Sequence, residues 1–589
     1  MTWPPSSATT SDGSALLRDK LGQALNFHQR GQFGQAETAY RSALKLDPSC
    51  FEAMHGLGLL LHELRRCAES ISIHTGAIAA RPDFAGVYNN RALVFRDVGR
   101  LDDALADCEQ AIALNPEFSE AFYNRGLILR DLKRLEAALA SFDRANALGI
   151  NTAELFCDRG GVLRELGRLG QAIASFDRAI ALQPDCYRAF NDRGLAFHEL
   201  DRLDAALADL DRALFLKPDF TEAHNNRGNV TRDLGRAEEA VESYDRAIGF
   251  RPDYAEALTN RGQCRLSLGR MDDGWADYEH RCKVPLSEIC RRADIVPERL
   301  LLWPTRSDVR DRRVLVVAEQ GVGDELMFAG MVNDLAQDAR TVTLECNPRL
   351  ASLFARSFPN AAILPRKTPA DWNAENYDCL LPAGSLGHLY RRSLAEFPER
   401  ERYLMVNPAA AACWKDSLAG LGTGLKVGIS WRGGTPSTNA HRRSTSLALW
   451  RPILEQTGVH FVSLQYGDAE REIAAAGMLF PGAITRLASR EIDDFDQLAG
   501  LVSALDLVVT VQTALVHLCG ATGQRCLVMV PYAAEWRYGT KGSSMPWYRS
   551  VELFRQEAAG RWREPIGGIA AQLKYLIQRG RQCRDGFSD

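Results

Sequence analysis

The 589-residue chain lacks any apolar run near the roughly 20 residues of a membrane-spanning helix, so no such span is expected. It also lacks an excess of either charge: 71 basic side chains face 75 acidic ones, a formal net charge of −4. Without a basic bias the chain does not fit a nucleic-acid partner. Fourteen cysteines occur, yet none forms a CxxC pair or a metal-ligand spacing. Zinc or any other metal is therefore not expected, and the thiols read as reduced and mostly buried, in a cytoplasmic protein. The opening stretch, residues 1–16, lacks an apolar core. Its Pro4-Pro5 and many Ser and Thr read as a disordered N-terminus rather than a signal peptide.

What is present is a period. Pro48, Pro82, Pro116, Pro184, Pro218 and Pro252 recur at multiples of 34 residues, and Ile150 stands at the one missing beat. A fixed period of this length is that of the tetratricopeptide hairpin. The units begin at Leu17, Phe51, Ala85, Ser119, Ala153, Tyr187, Thr221 and Ala255. They predict an α-solenoid over residues 17–282, about eight units, with one concave binding surface. Small residues recur where two helices must touch, at Ala104, Ala138, Ala172, Ala206 and Ala240, and an aromatic (Tyr40, Phe142, Phe176, Tyr244) is expected to fill the gap between neighbouring units. The eighth unit departs from the pattern at Gly274-Trp275-Ala276, which reads as a cap joining the array to the next domain.

The sixth place of the units reads Asn90, Asn124, Asp158, Asp192, Asn226 and Asn260. On the first helix, facing the concave surface, an amide offers a donor and an acceptor matched to the backbone of an extended peptide. These six are the candidate acceptor-binding residues; the alternative is that Asn and Asp here bond neighbouring backbone. The adjacent Arg91, Arg125, Arg159, Arg193, Arg227 and Arg261 are expected to be structural, with packed stems and solvated heads. Asp97, Asp131, Glu165, Glu199 and Asp233 fit either a groove lining or a solvated face.

A charged linker over residues 283–311 leads to a second pattern. Short β-branched runs, as in Arg313-Val314-Leu315-Val316-Val317 and Leu507-Val508-Val509-Thr510, are typical of buried parallel strands. They divide into an N-terminal lobe, residues 312–407, and a C-terminal lobe, residues 424–580, joined by an Ala- and Gly-rich linker from Pro408 to Gly424. The implied architecture is two doubly wound α/β lobes with a cleft between them, with ligands at the carboxyl ends of the strands. Gln320-Gly321-Val322-Gly323-Asp324 puts a carboxylate at a helix start, which alone also fits a simple cap. Gln512-Thr513 through His517 opens a helix after a strand, where free N–H groups and a hydroxyl suit phosphate. Ser430-Trp431-Arg432 and Arg442-Arg443-Ser444 bring further polar groups to strand ends, and Gln465-Tyr466 closes another strand.

Together these turns resemble the heptosyltransferase-like (family 9-like) glycosyltransferase domain found fused to tetratricopeptide arrays in bacteria. The resemblance rests on Glu319 through Asp324, Ile429 through Gly433, Arg443-Ser444, Ser463 through Gln465, Asp494-Phe495, Leu505 through Val509, Thr513 through His517, Glu535 through Arg537 and Pro546 through Tyr548. It implies a two-lobed, metal-independent GT-B domain of two Rossmann-like lobes, the first on the acceptor side and the second on the nucleotide-sugar donor side. By it Asp324 matches the catalytic base. Thr513 and His517 match the donor-phosphate turn, and Ser430, Arg432, Arg442, Arg443, Ser444, Gln465, Tyr466 and Gln512 complete a donor-binding set. Gln512 departs from the Asp usual there, which weighs against ADP-heptose as donor. The array-plus-transferase layout is similar to bacterial flagellin glycosyltransferases. That likeness implies transfer of a nonulosonic acid (pseudaminic or legionaminic type) from a CMP-nonulosonic acid co-substrate to Ser or Thr of flagellin, with no bound cofactor. The alternatives are a non-catalytic scaffold with a degenerate transferase domain, or an O-linked N-acetylglucosamine or heptose transferase.

Overall fold

The computed structural model describes residues 11–285, 287–292, 295–367, 372–434, 440–480, 484–486 and 493–585. It divides into two units, residues 1–218 and 219–589. Of the stretch expected to be disordered, residues 1–10 lie outside the described residues, while residues 11–16 already belong to the first helix, Ser11–Gln29. No helix among the described residues is long and apolar enough to cross a membrane.

The first unit is a run of antiparallel helical hairpins. Ser119–Asp131 with Leu135–Ala147, Ala153–Glu165 with Leu169–Leu182, and Tyr187–Glu199 with Leu203–Leu216 are typical. The second unit begins with two more hairpins, Thr221–Asp233 with Ala237–Phe250 and Ala255–Ser267 with Met271–Tyr278. The fold is thus an α-solenoid followed by an α/β region.

Two details inside the hairpins differ from the sequence expectation. The aromatic side chains seat within their own hairpin, not between neighbours. A Cβ at Gly126, Gly160 or Gly228 would stand 2.6, 2.5 or 2.4 Å from Phe142, Phe176 or Tyr244. Glycine on the first helix leaves the hole that the ring from the second helix fills. Tyr40 is the exception and lies against Gly56 of the next hairpin. The arginine row is also not solvated at its heads. Arg91, Arg193 and Arg261 each grip an aspartate on the second helix of their hairpin, Asp107, Asp209 and Asp277, through two bonds of 2.6–2.8 Å. A planar guanidinium meeting a carboxylate by two parallel bonds fixes the hairpin angle as well as attracting charge.

Two sheets complete the second unit. The first has the order β3-β2-β1-β4, from β1 (Arg313–Val317), β2 (Thr341–Cys346), β3 (Ala361–Pro365) and β4 (Cys379–Pro382), all parallel. The second comprises β5 (Leu425–Ser430), β6 (Val459–Ser463), β7 (Ile484–Thr485), β8 (Leu507–Val511), β9 (Cys526–Val530), β10 (Ser544–Met545) and β11 (Tyr548–Arg555). Its order is β10-β11-β9-β8-β5-β6-β7, parallel except for the β10–β11 pair. Strands β1 and β8 are buried along nearly their whole length, as a parallel sheet covered on both faces requires. The stretch expected as a linker from Pro408 is mainly a helix, Pro408–Ala419. Pro408 sits in its first turn and the Asn407 side chain accepts from Ala409 N and Ala410 N, a strong start signal that outweighs the Ala- and Gly-rich composition.

Trp275, on the second helix of the last hairpin, is fully buried among Tyr278, Phe328, Trp536 and Trp547. Its indole N–H donates to the Arg391 carbonyl at 2.8 Å, and its ring lies so close to Gly387 that a Cβ there would come within 2.5 Å.

Candidate active site

The carboxyl end of β1 turns through Ala318-Glu319-Gln320-Gly321 into the helix Val322–Ala329. Gln320 adopts φ 64°, a left-handed conformation rare outside glycine, which makes the turn tight. Asp324 therefore lies in the first turn of that helix, its side chain 16% exposed. Its carboxylate accepts from the Arg537 guanidinium, and the same Arg537 nitrogen donates to Gln320 Oε1 at 3.2 Å. Burial moves the Asp324 carboxyl above its ordinary range, against the opposing pull of Arg537.

The neighbouring carboxylates are committed elsewhere. Glu319 accepts two bonds from Arg281, at 2.9 and 2.7 Å, and one from Gly384 N at 2.6 Å. Arg281 also reaches Glu279 at 3.0 Å and Ser385 at 3.1 Å, forming a buried charged cluster that ties the end of the hairpins to the first sheet. Glu325 accepts from Asn347 N at 2.6 Å.

Across the cleft, β8 ends at Val511 beside Gln512, and Thr513 caps the helix Ala514–Thr522 by accepting from Leu515 N at 3.2 Å. His517, one turn further, is buried and its Nδ1 shares a hydrogen bond of 3.1 Å with Tyr548 Oη. Burial, with Arg537 nearby, pushes its pKa down to about 3, so the ring is neutral. The turns of the two lobes meet at Gly323: a Cβ there would stand 3.1 Å from the His517 ring and 3.4 Å from Ala514 Cα. Glycine permits this approach, and it brings Asp324, Thr513 and His517 to one place.

The other residues expected at a donor site are placed as follows. Gly433 lies on the Gln512–Thr513 backbone, where a Cβ would be 2.6 Å from the Gln512 carbonyl, and Ser444 Oγ accepts from Gly433 N at 3.1 Å. Gln465 Oε1 accepts from Ser430 Oγ, Trp431 N and Arg432 N at 3.2, 2.9 and 2.8 Å, so Ser430 and Gln465 shape the loop that Gly433 belongs to. The arginines are ion-paired. Arg432 meets Glu472 at 2.9 Å and the Asp468 carbonyl at 2.7 Å, Arg442 meets Asp233 at 2.6 Å, and Arg443 meets Glu535 at 3.2 Å. Tyr466 is exposed and Gln512 is buried. Among the described residues no three His, Cys, Asp or Glu stand close enough to hold a metal ion.

Sequence reasoning missed Arg537 as a site residue, although Glu535-Trp536-Arg537 is one of the stretches carrying the resemblance. Its guanidinium joins Asp324 to Glu535, the latter at 3.1 Å, and stacks over the Trp536 ring at 4.7 Å. It also lines a cavity of about 350 Å³ between the turn of the last hairpin (Leu266, Met271) and the loop carrying Trp536 and Trp547.

Most of the sixth-place row bonds from repeat to repeat. In the first unit Asn124 Nδ2 donates to Asn89 Oδ1 at 2.8 Å, Tyr123 Oη donates to Asp158 at 2.6 Å, and Asn90 shares a 2.8 Å bond with His55 Nε2. Asp192 accepts from Asn191 Nδ2 at 2.8 Å. In the second unit Asn260 Nδ2 donates to Asn225 and Asn229 at 3.3 and 3.1 Å; Asn226 lies half-buried in the same row. The acidic row pairs likewise, Asp97 with His62, Asp131 with Arg96, Glu165 with Lys133 and Glu199 with Arg164, all within 3.0 Å.

Residues 21–83, 89–150 and 157–220 match the tetratricopeptide repeat family, and residues 228–269 match a second description of the TPR repeat. Those segments are tetratricopeptide repeats. The chain is also similar to Protein FlbA of Caulobacter vibrioides (strain ATCC 19089 / CIP 103742 / CB 15), 34% identical over 317 residues, which is 51% of this chain and 52% of that protein. The chain thus matches about half the length of this curated relative. Among solved structures it is similar to YrrB, described as a TPR protein with an unusual peptide-binding site, at 28% identity over 31% of this chain and 95% of that one, TM-score 0.28. A tetratricopeptide repeat protein from Parabacteroides merdae ATCC 43184 is 18% identical over 42% of this chain and 98% of that one, TM-score 0.36.

Proposed function

We propose that this protein is a GT-B glycosyltransferase that moves a sugar from a nucleotide-sugar to a Ser or Thr hydroxyl of a protein held by the tetratricopeptide array. One observation carries the reading: the strand-end turn that holds Asp324 in one parallel-sheet lobe packs through Gly323 against the helix start at a strand end of the other, Thr513 to His517. A hydroxyl is a weak nucleophile until a base takes its proton, and a helix N-terminus favours the phosphates of the leaving nucleotide. A neutral His517 fits hydrogen bonding better than ion pairing. The cavity beside Arg537 gives an acceptor segment leaving the last hairpin room next to the residue that holds Asp324. The favoured donor is a CMP-nonulosonic acid and the favoured acceptor flagellin, in the cytoplasm. A non-catalytic scaffold is the competing reading, and the Asp324–Arg537 pair is the observation on its side, because a carboxylate engaged in an ion pair must be released before it can take a proton.

The donor half is tested by thermal unfolding against CMP-, UDP-, GDP- and ADP-sugars. A donor at a hundred times its dissociation constant stabilises by about 2.7 kcal/mol. Thr513→Ala is expected to lose most of the shift. Stabilisation by none of the panel overturns the reading.

The acceptor half rests on the sixth-place row. Each backbone bond is worth about 1 kcal/mol net, so one Asn→Ala change does little to acceptor binding. Replacing Asn90, Asn124, Asn226 and Asn260 together is expected to abolish acceptor capture while the donor-induced shift stays intact. Unchanged capture by the fourfold variant removes the row from the acceptor site.

A further inference from the structure

No cysteine among the described residues is joined in a disulfide, and two of them meet between adjacent repeats of the first unit. Cys157 lies on the helix Ala153–Glu165, beside Asp158 of the sixth-place row, and Cys186 is the residue that opens the helix Tyr187–Glu199. Their sulfurs are 3.8 Å apart, and both side chains are half-buried rather than sealed from solvent. The corresponding places elsewhere in the array show what packing alone asks for. Three repeats earlier, His55 and Phe84 fill the same junction ring to ring, with centroids 5.6 Å apart. Phe118 and Phe220 occupy the place of Cys186 in other repeats, and Tyr123 occupies that of Cys157. Other junctions hold Asn89 with Phe118, Tyr123 with Thr152 and Asn191 with Phe220 in these places; at this one two small thiols face each other.

We propose that Cys157 and Cys186 form a redox site, an oxidisable dithiol that closes to a disulfide and staples the first helix of the fifth repeat to the cap of the helix that begins the sixth, next to Asp158 and Asp192. A disulfide has an S–S length of about 2.05 Å, so the sulfurs must approach by roughly 1.8 Å, within the reach of side-chain rotation and a small helix shift. The chemistry balances with a peroxide as two-electron oxidant. The Cys186 thiolate attacks one peroxide oxygen, the O–O bond breaks, and hydroxide leaves as Cys186 becomes a sulfenic acid. The Cys157 thiolate then attacks that sulfur and expels the second oxygen as hydroxide. The protons released by the two thiols turn both hydroxides into water, leaving one S–S bond. Cys186 is the better first nucleophile. The contact with the Cys157 thiol and the backbone N–H groups of Arg188 and Ala189 at the helix start favour its thiolate, so Cys186 is held below the ordinary thiol range and Cys157 above it.

The test uses the full-length reduced protein, treated with stoichiometric hydrogen peroxide, alkylated and mapped by peptide mass spectrometry. The expected product is a cross-linked pair of peptides containing Cys157 and Cys186, lighter by two hydrogens and reversed by dithiothreitol. Cys186 is expected to lose alkylation at least about tenfold faster than the exposed Cys413, a margin of thiolate character and a waiting partner. In Cys157→Ser the cross-link is absent and Cys186 is instead trapped by dimedone as the sulfenic acid. Equal alkylation of Cys186 and Cys413 after peroxide overturns the proposal, as does sulfinic acid at Cys186 without a cross-link in the wild-type chain.

Discussion

If the proposed reaction is right, Asp324→Ala is expected to lower sugar transfer at least about a hundredfold, the usual worth of a positioned general base, while the thermal transition and the donor-induced shift remain. The expectation follows from how the nearby carboxylates are engaged. Glu319 is gripped by Arg281 and Gly384 N, and Glu325 accepts from Asn347 N, so neither can take over without dismantling the turn. Asp324 is held by the Arg537 side chain and, more loosely, by Gly321 N at 3.4 Å. Its carboxyl lies above the ordinary range because burial outweighs that arginine. The rate therefore falls as pH drops through this raised value, where the base takes up a proton. Arg537→Gln removes the charge that favours the carboxylate, and the acid limb of the pH–rate profile is expected to move to higher pH. The same shift has a stability side. A carboxyl that binds its proton more tightly when folded favours the folded state at acid pH, and that contribution is lost as pH rises from the ordinary value through the raised one. Turnover near wild type in Asp324→Ala, or an acid limb that stays in place in Arg537→Gln, removes Asp324 from the base role.

The second large effect is on folding. Trp275→Ala is expected to cost about 3–5 kcal/mol, the range for emptying a large aromatic site from a core. The site has little room to collapse, since Tyr278, Phe328, Trp536 and Trp547, themselves buried or packed together, surround the ring. Trp275→Phe keeps part of the contact but leaves the Arg391 carbonyl without the indole donor, so an intermediate loss is expected. Urea unfolding of the full chain, followed by tryptophan fluorescence, reads both. A loss below about 1 kcal/mol for the alanine variant would show that the aromatic cluster is not what joins the last hairpin to the sheets.

The repeats were legible because each is a local unit: helix, turn and second helix are written within one period, and the prolines mark it. The buried parallel strands were legible for a similar reason, as β-branched runs bounded by turn residues. Less visible were β4, whose four residues end in Pro382, and β11, where Arg549, Glu552 and Arg555 interrupt the apolar pattern near the antiparallel edge of the sheet. The arginine pairs needed the hairpin itself, which brings Asp107 to Arg91 and Asp277 to Arg261 from 16 residues away. In the candidate site, Asp324, Thr513 and His517 were readable because each lies at a strand end next to a helix start. Arg537 was not, since its meaning depends on a partner 213 residues earlier in the chain. The ion-pairing of Arg432 and Arg442 was equally hidden, because Glu472 and Asp233 carry no local sign of facing them.

The division of the chain after Pro218, two hairpins before the repeats end, bears on how such proteins can be recombined. Cutting at the last repeat would strip Trp275 from its aromatic nest and Asp233 from Arg442, opening an apolar wound and removing a counter-charge from the α/β half. A chimera that exchanges acceptor preference between relatives should instead be joined at the Pro218–Asp219 boundary, so that the seventh and eighth hairpins travel with the sheets. The exchangeable cassette is then the first six hairpins, and the last two act as a permanent collar of the two sheets.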